Sequence, residues 1–185
     1  MKFTETKVSG VFLIELDLHA DDRGSFARSF CVDEFNEAGI DMHVVQANIS
    51  FNKHSGAVRG MHYQVSPHSE AKVVRCTSGA LYDVVVDLRP DSPSYSQWIG
   101  IELNAEYRNA LFVPKGCAHG FQTLVDGTEV SYLMSERYVP ETVSGVRYDD
   151  PAFGIEWPLR VSSVSDRDRD WPDFQPQVGT GMIEQ

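Results

Sequence analysis

The chain has 185 residues, of which 42 % are hydrophobic and 23 % charged, and its formal net charge is −11. This length and composition fit one globular domain with a sizeable core, while the charge argues against nucleic acid or an anionic membrane as partner. The apolar runs are too short to span a bilayer, the N-terminus carries no hydrophobic leader, and three widely spaced cysteines, Cys31, Cys76 and Cys117, read as reduced thiols of a cytoplasmic protein.

Taken in order, the sequence reads mostly as short strands. Residues 11–18 alternate apolar positions with Glu15 and Asp17, as a half-buried strand does. Asp21-Asp22-Arg23-Gly24-Ser25 is a turn, and 26–30 resumes extended structure. Residues 33–39 are the one clear helix of the first half, capped by Asp33 and stopped by Gly39. Strand signals then recur near 44–51, 57–64, 71–77, 81–88, 98–103, 110–113, 118–124 and 129–135. Gly, Pro, Asn and Asp clusters separate them, and Asp126-Gly127 is a hairpin signal. This spacing predicts an all-β sandwich or barrel, a single domain over 1–185 without internal repeats. After Pro140 the pattern turns irregular. Trp157 and Trp171, each followed by proline, predict an extended C-terminal tail anchored on the barrel. The alternating charges of 165–170 read as a solvated surface segment, and 174–185 as a frayed end.

The densest stretch is Val58-Arg59-Gly60-Met61-His62-Tyr63-Gln64. Strand alternation places Gly60, His62 and Gln64 on one face and Arg59, Met61 and Tyr63 on the other. Facing into a barrel, His62 stands beside a glycine that leaves room for a ligand. A core histidine satisfied by a hydrogen bond is the other reading. A second motif, Pro114-Lys115-Gly116-Cys117-Ala118-His119, is a tight turn leading His119 into a strand near the barrel mouth. Its P-x-G-x-x-H pattern resembles the second motif of the cupin jelly-roll families. A metal cupin also needs two histidines one residue apart and a downstream glutamate. Here His62 stands between Gly60 and Gln64, Lys72 would repel a divalent ion, and His68 and Glu70 read as surface residues of a Pro/Ser turn. Neither a metal nor a cofactor is expected. General acid–base chemistry is the alternative: His62 as base, Lys72 beside an oxyanion, Tyr132 as proton donor, and a tail acid such as Asp168 orienting the imidazole. Taken singly, Lys72, Tyr132 and Asp168 also read as ordinary surface or core residues.

Together these stretches resemble the dTDP-4-dehydrorhamnose 3,5-epimerase family of nucleotide-sugar enzymes, from about residue 10 to residue 172. The marks include Asp22-Arg23-Gly24-Ser25-Phe26, Gln46-Ala47-Asn48, the 58–64 stretch, and Lys72-Val73-Val74-Arg75. Further marks are Asp83-Val84-Val85-Val86-Asp87, the 114–121 stretch, Tyr138-Val139-Pro140-Glu141 and Gly154-Ile155-Glu156-Trp157-Pro158. The resemblance implies a cofactor-free, cupin-like jelly-roll barrel with short peripheral helices. It implies a homodimer that exchanges N-terminal strands and acts on a dTDP-4-keto-6-deoxy sugar. By the match His62 is the base, Asp168 its orienting partner, Lys72 the charge beside the enolate, and Tyr132 the donor on the opposite face. Arg23, Arg28, Gln46, Asn48, Arg59, His119 and Arg167 fall at ligand-binding positions, arginines suiting diphosphate oxygens. Phe26 and Tyr138 are placed to sandwich a thymine ring. The chain departs from the family at Arg28 and Val143, usually glutamate, and at Leu133 and Arg167, usually lysine. The reversed charge at Arg28 keeps open a single-centre 3- or 5-epimerase, another nucleotide, or a metal-free ketoisomerase. A metal-dependent cupin enzyme and a noncatalytic sugar-binding jelly roll are the rival classes.

Overall fold

The computed structural model describes residues 1–176. In chain order the strands are β1 (Lys2–Glu5), β2 (Phe12–Glu15), β3 (His19–Asp21), β4 (Gly24–Phe26), β5 (Gln46–Asn52), β6 (Val58–Gln64) and β7 (Lys72–Ser78). There follow β8 (Ala80–Asp87), β9 (Trp98–Asn104), β10 (Ala110–Val113), β11 (Cys117–Thr123), β12 (Thr128–Met134) and β13 (Val143–Gly145). Two short helices, α1 (Val32–Glu37) and α2 (Asp166–Arg169), sit outside the strands.

Two antiparallel sheets face each other. One has the order β1-β2-β10-β7-β12-β5, the other β13-β6-β11-β8-β9. Strands distant in sequence are neighbours, as in a jelly roll. Alternation sorts the side chains. On β7, Val74 and Cys76 face the other sheet, where Leu81, Val85 and Phe121 meet them in the central core. Val73 points the opposite way, into a layer built from Ile14, Phe112 and Phe35 of α1. On the second sheet, Val84, Val86 and Ala118 face outward, where Phe153, Trp157 and Phe174 of the C-terminal segment cover them. The helix α1 thereby covers part of one outer face, and the C-terminal segment covers the other.

Most predicted strands agree within a residue or two; the short β1, β3, β4 and β13 carry too little pattern to be read. The first helix begins a residue early: Cys31 occupies the cap position without a side-chain bond, and Asp33 lies in the first turn. Its charge there still complements the helix dipole. Gly39 ends the helix at φ +77°, while the Ile40 N–H returns to Phe35 O. The larger correction falls within 165–170, which is exposed as expected except at Asp168. Ser165 Oγ accepts the Asp168 N–H at 3.1 Å and starts α2, which buries Asp168 to 4 % exposure. Nor does the chain fray from Phe174: its N–H donates to Asp150 Oδ2 at 2.7 Å and its ring lies 4.8 Å from that of Phe153. The rest of the expected frayed end, from residue 177, lies outside the described residues.

Candidate active site

The site begins with a break in strand pairing. His62 pairs with His119, but Arg59 pairs with Phe121, so β6 carries one more residue than β11 over this interval. That bulge resets the alternation. Arg59 and His62 both line one cavity, whereas Met61 is fully buried in the outer layer. Arg59 was therefore assigned to the wrong face by simple alternation. Gly60 does not leave room for a ligand either. Its φ is +116°, and an added Cβ would stand 2.5 Å from Gly120 Cα and 2.7 Å from His119 O. The missing side chain is filled by the β11 backbone, which is what lets the bulge close.

The cavity holds about 1030 Å³. His62 and Asp168 form its central pair, with Nε2 and Oδ1 2.6 Å apart. The second carboxylate oxygen, Oδ2, accepts the Gly60 N–H at 3.1 Å. The tail thus returns to the strand that bears the histidine. Burial pushes the Asp168 carboxyl up, but the His62 hydrogen bond and charge, with Gly60 and Ser165, outweigh it and hold it below the usual carboxylate range. With Nε2–H directed at a carboxylate, the basic lone pair resides on Nδ1.

His119 forms a second such pair, its Nε2 2.7 Å from Asp83 Oδ1. Asp83 Oδ2 has no hydrogen-bond partner among the described residues. The His119 ring lies edge-on to Tyr132, centroids 6.2 Å apart. Burial raises the Tyr132 phenol well above its ordinary range, the Asp83 charge adds to this, and Arg59 opposes it. The phenol is a proton donor at neutral pH. Lys72 Nζ stands 2.8 Å from Glu70 Oε1 and 3.5 Å from the His62 carbonyl oxygen. Glu70 is 6 % exposed, not a surface residue; its other oxygen accepts the Gln64 N–H at 2.8 Å. His68 is half-buried, and its carbonyl accepts from the Gln64 amide.

Of the sequence-predicted residues, the structure brings His62, Lys72, Tyr132 and Asp168 together with Gln46, Asn48, Arg59, His119, Tyr138 and Arg167 in this cavity. Gln46 donates to Asn48 at 3.0 Å and accepts the Tyr138 N–H at 3.2 Å, which ties the β5 end to the segment after β12. Arg59 donates to Asn52 Oδ1 at 2.6 Å, and the Arg167 guanidinium lies 5.8 Å from the Trp171 ring centroid. The same protomer does not bring Arg23, Phe26 or Arg28. Arg23 is paired with Asp21 in the exposed β3–β4 hairpin, Phe26 is 73 % exposed, and Arg28 binds Glu34 of α1. Leu133 faces the layer under α1, away from the cavity; Val143 lines it. Sequence reasoning missed Asn52, Glu70 and Asp83 as neighbours of the site. Parity was the available signal for Asp83, two residues from inward-facing Val85, whereas the burial of Glu70 depends on how the turn before Lys72 folds back. Among the described residues no group of three or more His, Cys, Asp or Glu side chains is placed to hold a metal ion.

Fold and site together define a jelly roll with acid–base groups in a cavity between its sheets. The family model for dTDP-4-dehydrorhamnose 3,5-epimerase matches residues 5–176. A dTDP-4-dehydrorhamnose 3,5-epimerase of Methanothermobacter thermautotrophicus is 39 % identical over 173 residues, covering 92 % of each chain. A dTDP-4-dehydrorhamnose 3-epimerase of Streptomyces niveus is 40 % identical over 171 residues, 92 % of this chain and 82 % of that one. The crystal structure of the Bacillus anthracis 3,5-epimerase with TDP and PPi bound superposes with TM-score 0.90 at 40 % identity, covering 94 % of this chain and 99 % of that one. The chain belongs to the dTDP-4-dehydrorhamnose 3,5-epimerase family, which are carbohydrate epimerases.

Proposed function

We propose that the protein epimerises a dTDP-4-keto-6-deoxyhexose at carbon 3, carbon 5 or both, in deoxysugar biosynthesis. The observation that carries this reading is the His62–Asp168 pair at 2.6 Å, in one cavity with Lys72 and Tyr132. His62 Nδ1 takes the proton from a carbon flanking the ketone. The C–H electrons become a carbon–carbon double bond and the carbonyl π pair moves to oxygen, giving an enolate. Lys72 stabilises that charge. Tyr132 O–H protonates the carbon from the other face, the carbonyl re-forms, and the centre is inverted. Proton exchange with solvent then resets the imidazolium and the phenolate. No group outside the chain is needed for these steps.

Arg59 and Arg167 suit the diphosphate, Gln46 and Asn48 offer hydrogen bonds, and Tyr138 offers a face for the base. The nucleotide-sugar substrate is supported by relatives with bound nucleotide. Arg23, Phe26 and Arg28 reach a site only as residues of the partner subunit, which favours a homodimer with exchanged N-terminal segments. Free cysteines at 31, 76 and 117 suit the cytoplasm, and among the described residues no helix is long and apolar enough to cross a membrane. Val143 in the cavity wall favours a second reading, inversion of a single centre. His62→Ala should lower turnover at least 10²-fold while dTDP affinity stays within about twofold. Unchanged turnover in a folded His62→Ala protein would contradict the assignment.

A further inference from the structure

Three carboxylates line the cavity: Glu70, Glu136 and Asp168. Asp168 holds His62, and Glu136 accepts the Arg137 N–H at 2.8 Å. Glu70 is left over by the proton transfers described above, yet it is the counter-charge of Lys72. A buried charge persists where an opposite charge and hydrogen bonds meet it, and both Glu70 oxygens are met. Oε1 lies 2.8 Å from Lys72 Nζ, and Oε2 accepts the Gln64 N–H at 2.8 Å. Glu70 and Lys72 flank Ala71, whose N–H is held by Ser135 Oγ at 2.7 Å. Two residues apart in extended chain, they face the same way.

A lysine ammonium has three N–H donors. Glu70 takes one, and the His62 carbonyl, at 3.5 Å, lies nearest to a second. The third is left for the cavity. We propose that Glu70 is a positioning residue for this reaction, holding the Lys72 ammonium where the ketone oxygen becomes an enolate. The proposal rests on the epimerase reading. Gln64 belongs to the strand that carries His62, so one carboxylate sets the distance between the base and the enolate's donor. Nothing in strand parity required Glu70 to close on Gln64; the turn between β6 and β7 does that.

The test compares Glu70→Ala, Glu70→Gln, Lys72→Met and the Glu70→Ala/Lys72→Met double variant on dTDP-4-keto-6-deoxyglucose. Glu70→Ala should lower kcat roughly 10- to 100-fold, the scale of an Ångström's misplacement. KM and dTDP affinity should stay within about twofold, since no binding contact is removed. Glu70→Gln, which keeps an acceptor oxygen and the side-chain volume, should recover most of the loss. In the Lys72→Met background Glu70→Ala should remove nothing further, because Glu70 acts through Lys72. Wild-type kcat in Glu70→Ala overturns the proposal. So does a full second loss in the Lys72→Met background, or a loss confined to KM and the thermal midpoint, as mere closure of the turn would give. Should the wild-type protein turn over no 4-keto-6-deoxy nucleotide sugar, the epimerase reading fails first and the Glu70 role with it, a result distinct from an active enzyme indifferent to Glu70.

Discussion

His62 and His119 are cross-strand partners, and each meets an aspartate through Nε2. Their surroundings separate them: the His62 side chain is 37 % exposed, that of His119 6 %. The open member of the pair has room for a sugar carbon, the closed one for a fixed contact. Asp168 carries a consequence for stability. Its folded pKa is depressed below the ordinary 3.8. A group of this kind contributes stability that is fully present above its unfolded pKa and is lost as pH falls through the folded value. The wild-type protein should therefore lose this contribution below roughly pH 4, and Asp168→Asn should show a shallower decline there. Urea midpoints at pH 6 and pH 3 measure it; identical pH dependence in both proteins would contradict the pairing. His62, Lys72, Tyr132 and Asp168 were legible through the family resemblance; taken singly, each also read as an ordinary core or surface residue. Glu70 was not legible, since its burial depends on where a Pro/Ser turn folds back, and no local pattern encodes that.

At the level of elements, the β6–β11 bulge decides which side chains enter the cavity. Period-two alternation made most strands readable, and it failed where β6 gains a residue, placing Arg59 opposite His62. The failure had a visible sign in hindsight: Gly60 and Gly120 are both bare because their backbones touch. Gly60→Ala should then be severe, with a Cβ forced against backbone at a φ that L-residues avoid. A loss of about 3 kcal/mol, or roughly 6–12 °C in thermal midpoint for a chain of this size, is expected by calorimetry. A midpoint within about 1 °C of wild type would mean the bulge can slip. The helix α2 shows the converse limit. Its charge pattern is that of a solvated segment, and the Ser165 cap, the bridge between Ser163 and Ala57 and the docking of Trp171 on Gly145 carry Asp168 inward.

For the whole molecule, an all-β sandwich or barrel followed from the count and spacing of strands and the jelly roll from the family resemblance, whereas a site shared between subunits was implied by that resemblance alone. The exposed hairpin bearing Arg23 and Phe26 lies outside the cavity, and β5, an edge strand, exposes Ile49 and Phe51. A symmetric dimer would cover these and bring the hairpin to a neighbouring site. Mixing inactive Arg23→Ala and His62→Ala proteins after denaturation and refolding should restore about a quarter of wild-type activity, one intact site in each mixed dimer. No restoration, with mixed dimers demonstrated, would place Arg23 in its own subunit's site or in none. The central claim, proton abstraction beside a ketone, is tested most directly by solvent exchange. The protein is incubated in heavy water with dTDP-4-keto-6-deoxyglucose, and deuterium at carbons 3 and 5 is counted by mass spectrometry and NMR. Deuterium at one or both carbons, with inverted configuration at each labelled centre and loss of label in His62→Ala, is the predicted result. Folded wild-type protein that leaves both carbons unlabelled would contradict the account.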